Sequence, residues 1–193
     1  MLTRFPSHFV IKITKNDIIK TALDLIRKNG TDAINARSIA LSLNCSTQPI
    51  FSNFATMEEL ENAVISAAYE HYFTFLKSEV ESKKYPQYKA FGMAYIRFAK
   101  DEKELFKLLF MRNRQGEHFS PTADFNDSVE IIMKANGISR KKATLMHFEM
   151  WTCVHGIATM VATSFLDIEW TLIENILSDI YQGTRSIHLK EEQ

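Results

Sequence analysis

The chain has 193 residues, of which 46% are hydrophobic and 11% aromatic, so it carries enough apolar mass for a packed core and is not intrinsically disordered. Its formal net charge is zero, yet up to Ala55 seven cations stand against three anions and the remainder is correspondingly acidic, which directs one end towards phosphate. Cys45 and Cys153 are the only cysteines and form no C-x-x-C pair, Met1 to Val10 lacks a signal-peptide pattern, and no apolar run has membrane-spanning length, which leaves a reducing cytoplasm as the expected location.

In chain order, residues 1–13 read as an irregular arm. Thr14 and Asp17 have capping-box spacing and open a helix with Ile18, Ala22, Leu25 and Ile26 on one face. Arg27 and Lys28 suit its last turn, and Asn29-Gly30 ends it, with glycine free to adopt a left-handed conformation. Asn35 caps a short helix whose inner side is Ile39, Ala40 and Leu43. Asn44 takes the following turn, where a positive φ is needed. Ser46 is the expected cap of a third helix, with Pro49 in its first turn and Ile50 and Phe54 inward. Thr56 and Glu59 then open a long helix from Met57 to about Ser82.

Tyr85-Pro86 breaks the chain. The spacing predicts a helix over 87–100 with Phe91, Tyr95 and Phe98 along one side, then one over 102–111 capped by Asp101. Residues 112–121 read as a loop and 122–135 as a helix stopped by Asn136-Gly137. Ser139 caps a long apolar helix to about Phe165. Asp167 opens the last, from Ile168 to about Tyr181 and ending near Gly183, and a charged tail runs from His188 to Gln193. No strand and no internal repeat is evident. The expected fold is all-α: a three-helix helix-turn-helix domain over 1–56, then a helical bundle over 57–193 for ligand binding and dimerisation.

The segment from Asn35 to Phe54 carries the chemistry. A helix that enters the major groove needs small or polar residues at its N-terminal end, so that the backbone can come close. Thr47, Gln48, Ser52 and Asn53 supply them. Glutamine can bond adenine at two atoms, and a threonine methyl can meet the thymine methyl. Arg37, in the first turn of the preceding helix, is placed to reach a phosphate. The alternative for each polar residue taken singly is a solvated helix face.

The ordered pieces Gly30, Arg37-Ser38-Ile39-Ala40, Cys45-Ser46, Phe51-Ser52-Asn53-Phe54 and Thr56-Met57-Glu58-Glu59-Leu60 closely resemble the N-terminal domain of the tetracycline-repressor (TetR) family of bacterial transcription regulators. The resemblance covers residues 14–60 in register. It departs from the family pattern at Asn44, where glycine is usual, at Phe51, where tyrosine is usual, and at Met57, where lysine is frequent. It implies a DNA-contacting set of Arg37, Ser38, Ser46, Thr47, Gln48, Pro49, Phe51, Ser52 and Asn53.

Trp151-Thr152-Cys153-Val154-His155-Gly156 and the Phe-rich stretch from Leu105 to Met111 resemble the C-terminal domain of members that carry a Trp-His-Gly sequence. Trp151 and His155 lie one turn apart on a shared face. A mid-helix Gly156 suggests close helix packing. Expected ligand-lining residues are Phe91, Tyr95, Phe98, Phe110, Met111, Met150, Trp151, Val154 and His155, because methionine and aromatic rings suit an adaptable pocket for a hydrophobic or amphipathic compound. A packed core with one satisfied histidine is the competing account. Met160, Phe165, Trp170, Ile173, Ile176, Leu177 and Ile180 are more apolar than solvent-facing helices require and are the expected dimer face.

The resemblance thus implies a homodimeric regulator, most simply a repressor, that binds a near-palindromic double-stranded DNA operator and is released by a small-molecule effector. Its half-sites would lie about 34–36 Å apart or a multiple of that. An activator, or a regulator without an inducer, fits the same residues. An enzyme is not expected: His71, His118, His147 and His155 do not fall into the paired Glu-x-x-His pattern of a di-iron bundle, and Glu149, Trp151 and His155 form no triad. No cofactor or metal and no membrane partner is expected.

Overall fold

A computed structural model describes residues 12–116 and 125–190, in two compact units, Met1–Ala67 and Ala68–Gln193. Among the described residues all regular structure is helical. The expected arm over 1–13 falls almost wholly outside the described residues, as do Thr122 and the end of the charged tail.

In the first unit, helix α1 spans Lys15–Asn29. It begins where it does because Thr14 and Asp17 cap each other: the Asp17 amide donates to the Thr14 hydroxyl (3.2 Å), and the Thr14 amide donates to the Asp17 carboxylate (2.9 Å). Ile18, Ala22 and Ile26 recur at one helical turn and are fully buried. Gly30 ends the helix at φ 81°, ψ 178°, a region comfortable only for glycine, and its amide closes on the Ile26 carbonyl at 2.8 Å. A short 3-10 turn, Thr31–Ala33, leads to α2, Ala36–Ser42. The long α4, Met57–Glu81, starts at a knot of polar contacts. Glu59 accepts from the Ala55 amide (2.8 Å) and pairs with Lys15 on α1 (3.1 Å), while the Thr56 hydroxyl accepts from the Glu59 amide (3.1 Å). The Lys15 ammonium also lies 4.8 Å from the centre of the Phe54 ring. These contacts hold the Glu59 carboxyl below the usual carboxylate range, the Ala55 amide contributing most.

In the second unit, α5 (Gln87–Asp101), α6 (Lys103–Phe110), α7 (Asn126–Asn136), α8 (Arg140–Ala162) and α9 (Trp170–Lys190) follow. Helix α8 is the centre, packed on α5, α6, α7 and α9. It runs alongside α5 in the same direction, tied by Tyr88–His147 and Tyr95–His155 contacts of 2.8 and 2.9 Å. It runs antiparallel to α9: the Lys142 ammonium donates to the His188 carbonyl (3.1 Å), and His188 meets the Glu149 carboxylate (3.0 Å). At Gly92 three helices converge. A β-carbon there would stand 3.3 Å from a Val154 methyl and 3.5 Å from a Leu177 methyl.

Several boundaries differ from the sequence-based expectation. Thr47, not Ser46, occupies the N-cap position of α3 (Gln48–Asn53), with helical dihedrals and no side-chain cap bond. Asp101 is the last residue of α5 rather than the cap of α6; Glu102 holds the cap position, and its carboxylate meets His71 on α4 at 2.8 Å. Helix α8 stops at Ala162, because the chain reverses at Ser164 with φ 56°, so Phe165 lies in the turn beyond it. Helix α9 does not stop near Gly183 but continues to Lys190. Tertiary contacts outweigh the poor helix propensity of glycine there: Arg185 donates to Asn136 (2.8 Å), and His188 is buried against α8. Gly156, expected at a close helix approach, is exposed, and a β-carbon on it would touch nothing within 4 Å; the close approach belongs to Gly92.

The expected positive φ at Asn44 is present at 51°. The Asn44 amide bonds the Leu41 carbonyl (3.1 Å) and the Cys45 amide bonds the Ala40 carbonyl (2.9 Å), the paired closure of a Schellman turn. Replacing Asn44 by alanine is expected to lower the stability of the first unit by about 1–2 kcal/mol, and replacement by glycine to leave it level or higher. Urea unfolding followed by circular dichroism checks this; equal effects of the two changes would refute the conformational account.

Candidate nucleic-acid interface and effector site

Helices α2 and α3, joined by the Asn44 turn, form a helix-turn-helix. Ile39, Ala40, Ile50 and Phe54 are buried and fix the pair on α1. That leaves a front on which Arg37, Ser46, Gln48, Phe51 and Ser52 are exposed and Thr47 and Pro49 half-buried. Gln48 opens α3 and is exposed. The Ser52 hydroxyl donates back to the Gln48 carbonyl (2.9 Å). Phe51 offers a half-exposed ring and no hydroxyl.

Two of the expected contact residues are tied into the scaffold instead. The Asn53 amide donates to the Pro49 carbonyl (2.8 Å) and to the Ile13 carbonyl (3.3 Å), so its donor is committed to holding the chain before α1. The Ser38 hydroxyl donates to the Ala33 carbonyl (2.6 Å), and its amide binds the Asn35 side chain (2.9 Å), which makes it the N3 half of a capping box. Short polar side chains beside a helix start turn to their own backbone in this way. Leu41, which the sequence reading did not single out, is 82% exposed on α2.

In the second unit the expected ligand-lining residues divide. Tyr95, Phe110, Trp151 and His155 belong to one aromatic assembly, joined by Tyr72 and Phe106. The Tyr95 ring lies 5.1 Å from Phe110, 5.3 Å from Phe106 and 6.1 Å from Tyr72. Trp151 stacks on His155 at 5.3 Å and 16°. Burial lowers the imidazole pKa of His155 and raises the phenol pKa of Tyr95, so both are neutral, and the Tyr95 hydroxyl faces His155 Nδ1 at 2.9 Å. Phe98 reaches the assembly only through Tyr72 (5.1 Å) and otherwise packs on Phe75 (5.4 Å). Met150 and Val154 are buried core, Phe91 is half-buried outside the ring contacts, and Met111 is exposed beyond α6. Tyr72 was missed, although Leu60, Val64, Ala68 and Tyr72 recur every four residues along α4 and are all buried.

The second missed element is a buried polar pair. His147 is buried against the rings of Tyr88 and Phe125, and Phe125 belongs to a buried cluster with Val129, Ile132 and Met146, with Tyr88, Trp151 and Tyr181 at its margin. Its Nδ1 meets the Tyr88 hydroxyl at 2.8 Å, and the Phe125 ring stands edge-on at 4.3 Å. Among the described residues no His, Cys, Asp or Glu cluster could hold a metal.

Of the expected dimer residues, Ile173 and Leu177 are buried in the protomer's own core, and Val161 is buried likewise. Trp170 is half-buried beneath the Arg97 and Lys100 side chains, at 5.3 and 5.4 Å. Met160, Ile176 and Ile180 are half-buried and Phe165 exposed. No described helix is long and apolar enough to cross a membrane.

Residues 88–174 match the family model of the tetracyclin repressor-like C-terminal domain. No curated protein matches the sequence. Among solved structures, a protein of unknown function from Rhodococcus sp. RHA1 is similar at a TM-score of 0.66 and 18% identity, over 94% of this chain and 98% of its own. A transcriptional regulator from Rhodococcus sp. Rha1 gives 0.50 and 14%, over 93% and 97%. A TetR variant from Acinetobacter baumannii AYE, solved in complex with minocycline, gives 0.48 and 15%, over 92% and 95%. At these identities the likeness is one of fold.

Burial pushes the His147 pKa down from 6.5 to about 4. The unfolded chain therefore binds a proton that the folded chain excludes between these values, so the neutral pair stabilises fully above about pH 6.5 and loses its effect as the pH falls towards 4. The loss is on the order of 3 kcal/mol. Unfolding free energies measured from pH 7.5 to 4.5 are expected to fall, and His147→Gln to flatten that slope; an equal slope in both proteins would refute the assignment.

Proposed function

We propose, from the match of residues 88–174 to the tetracyclin repressor-like C-terminal domain, that the chain is a homodimeric, operator-binding regulator of transcription, acting in the cytoplasm as a repressor relieved by a small effector. The observation that carries the reading is the division of labour on the helix-turn-helix. Asn53 and Ser38 hold the scaffold, while Arg37, Thr47, Gln48 and Ser52 remain at the front with Phe51. Gln48 reads bases, with adenine its best partner, and the Thr47 methyl favours thymine. Arg37 and the helix N-terminal amides hold phosphates. The basic excess before Ala55 supports approach to DNA.

The effector site is the aromatic assembly around Tyr95 and His155. Its members are neutral and flat-faced, which suits an uncharged or amphipathic planar compound that can share the Tyr95–His155 hydrogen bond. Effector binding acts by population shift: the compound has to prefer a dimer whose two heads are wrongly spaced for successive major grooves, or occupancy changes nothing. Helix α4 carries the chain from head to body, and its Tyr72 lies in the assembly. The dimer face is the outward side of the last two helices.

Gln48→Ala is expected to relax base preference and weaken specific binding by about 1–3 kcal/mol. Arg37→Ala is expected to weaken binding to every sequence and to shallow the salt dependence by about one unit. Selection from random duplexes followed by anisotropy titrations across salt measures both. An unchanged site preference for Gln48→Ala together with an unchanged salt slope for Arg37→Ala would overturn the interface.

A further inference from the structure

The rings of the aromatic assembly are neutral, so they fix the flatness of a ligand but not its charge. Charge enters beside them. Arg114 follows Phe110 by four residues, just beyond α6, and is exposed. The field of its guanidinium reaches the Tyr95 hydroxyl, where it works against the larger effect of burial. The other groups that act on that hydroxyl are the phenols of Tyr72 and Tyr69, and at His155 burial acts alone. Among the described residues no carboxylate balances the cation at either group.

The polar edge of the assembly matches that field. His155 is half-buried, with one face on Trp151 at 5.3 Å, and its Nδ1 is taken up by the Tyr95 hydroxyl at 2.9 Å. A neutral imidazole has one N–H and one bare nitrogen. When Tyr95 donates to Nδ1, the imidazole proton stands on Nε2, and no described residue accepts it. An acceptor from outside completes a row in which Tyr95 donates to Nδ1 and Nε2–H donates outward, each bond polarising the next. An anion is the strongest acceptor for such a donor.

Resting on the effector-site reading above, we propose that the ligand of this site is a flat aromatic acid. Its ring lies along the half-buried edges of Trp151, His155 and Phe110, and its carboxylate accepts from His155 Nε2–H with the Arg114 guanidinium as counter-charge. Arg114 is engaged elsewhere as well, but a guanidinium has five N–H donors and serves two acceptors together. Because Trp151, His155 and Phe110 each keep part of their surface in solvent, the carboxylate retains water on its outer side and avoids the cost of full burial. The same arrangement selects among charges. A neutral amide of equal shape keeps the ring contacts and the Nε2–H bond but gains no ionic attraction from Arg114. An ammonium meets a donor and a cation where it needs an acceptor.

Isothermal titration calorimetry of the full chain near neutral pH, with naphthoate, naphthamide and naphthylmethylammonium as probes, tests the assignment, because the three share a ring and differ in charge. Naphthoate is expected to bind on the order of tenfold more tightly than naphthamide, and the ammonium most weakly. Arg114→Gln is expected to abolish the difference between naphthoate and naphthamide, and Arg114→Lys to keep part of it. His155→Phe retains a ring without a donor and is expected to weaken naphthoate on the order of tenfold, with helix content by circular dichroism unchanged. Naphthamide bound as tightly as naphthoate, or an Arg114→Gln protein that still prefers the acid, would overturn the acid and leave the aromatic site standing. Failure of all three compounds to bind would overturn the site together with the acid.

Discussion

Helix α8 has apolar side chains around most of its circumference, and a helix of that kind has to be covered on nearly every side. Its sequence alternates the means of doing so. Ala143, Met146, Met150, Val154, Ile157, Ala158 and Val161 are buried against neighbouring helices. His147, Trp151 and His155, one turn apart, meet the Tyr88 and Tyr95 side chains of α5 and the Phe125 ring before α7. Leu145, Phe148, Thr152 and Gly156 are left outward. One helix thereby sets the core, positions the aromatic assembly and presents the free face.

The two Tyr–His contacts belong to the same constraint but differ in kind. His147 is deep enough for burial to suppress its charge almost throughout the accessible pH range. His155 is half-exposed, stacked on Trp151 and joined to Tyr95 at the edge of the assembly. A buried hydrogen-bonded pair fixes the register of two helices at the expense of ionisation. A half-exposed pair of the same type keeps an edge that a ligand can address. The pairs lie two turns apart on parallel helices and fix one register between α5 and α8.

Much of the first unit is legible in the sequence because its instructions are local. A capping box at Thr14, a glycine at position 30 and an asparagine at position 44 each determine a backbone conformation through their own side chain or its absence. The body is less legible because its boundaries are set by distant partners. Nothing near Gly183 announces that the helix continues to Lys190; Asn136 and Glu149, far away in the chain, hold Arg185 and His188 in place. The same holds for Ile173 and Leu177, whose period marks an apolar face but not what covers it. At the candidate interface, the residue types were readable, whereas the engagement of Asn53 with Ile13 and of Ser38 with Ala33 needed the fold.

This difference bears on how recognition and response are divided along the chain. Residues that would touch DNA are few once Ser38 and Asn53 are assigned to the scaffold, and the front lacks the hydroxyl that a tyrosine at position 51 would add. Non-specific affinity from a handful of phosphate contacts is modest, since each contributes a limited counterion-release term. A head of that kind depends on two copies held at a fixed spacing, because the second contact becomes intramolecular once the first is made. The strength of operator binding then resides less in α3 than in whatever sets the distance between heads. On the proposed reading, the energetic weight would lie with the contact that sets that spacing rather than with the contacts of α3 alone.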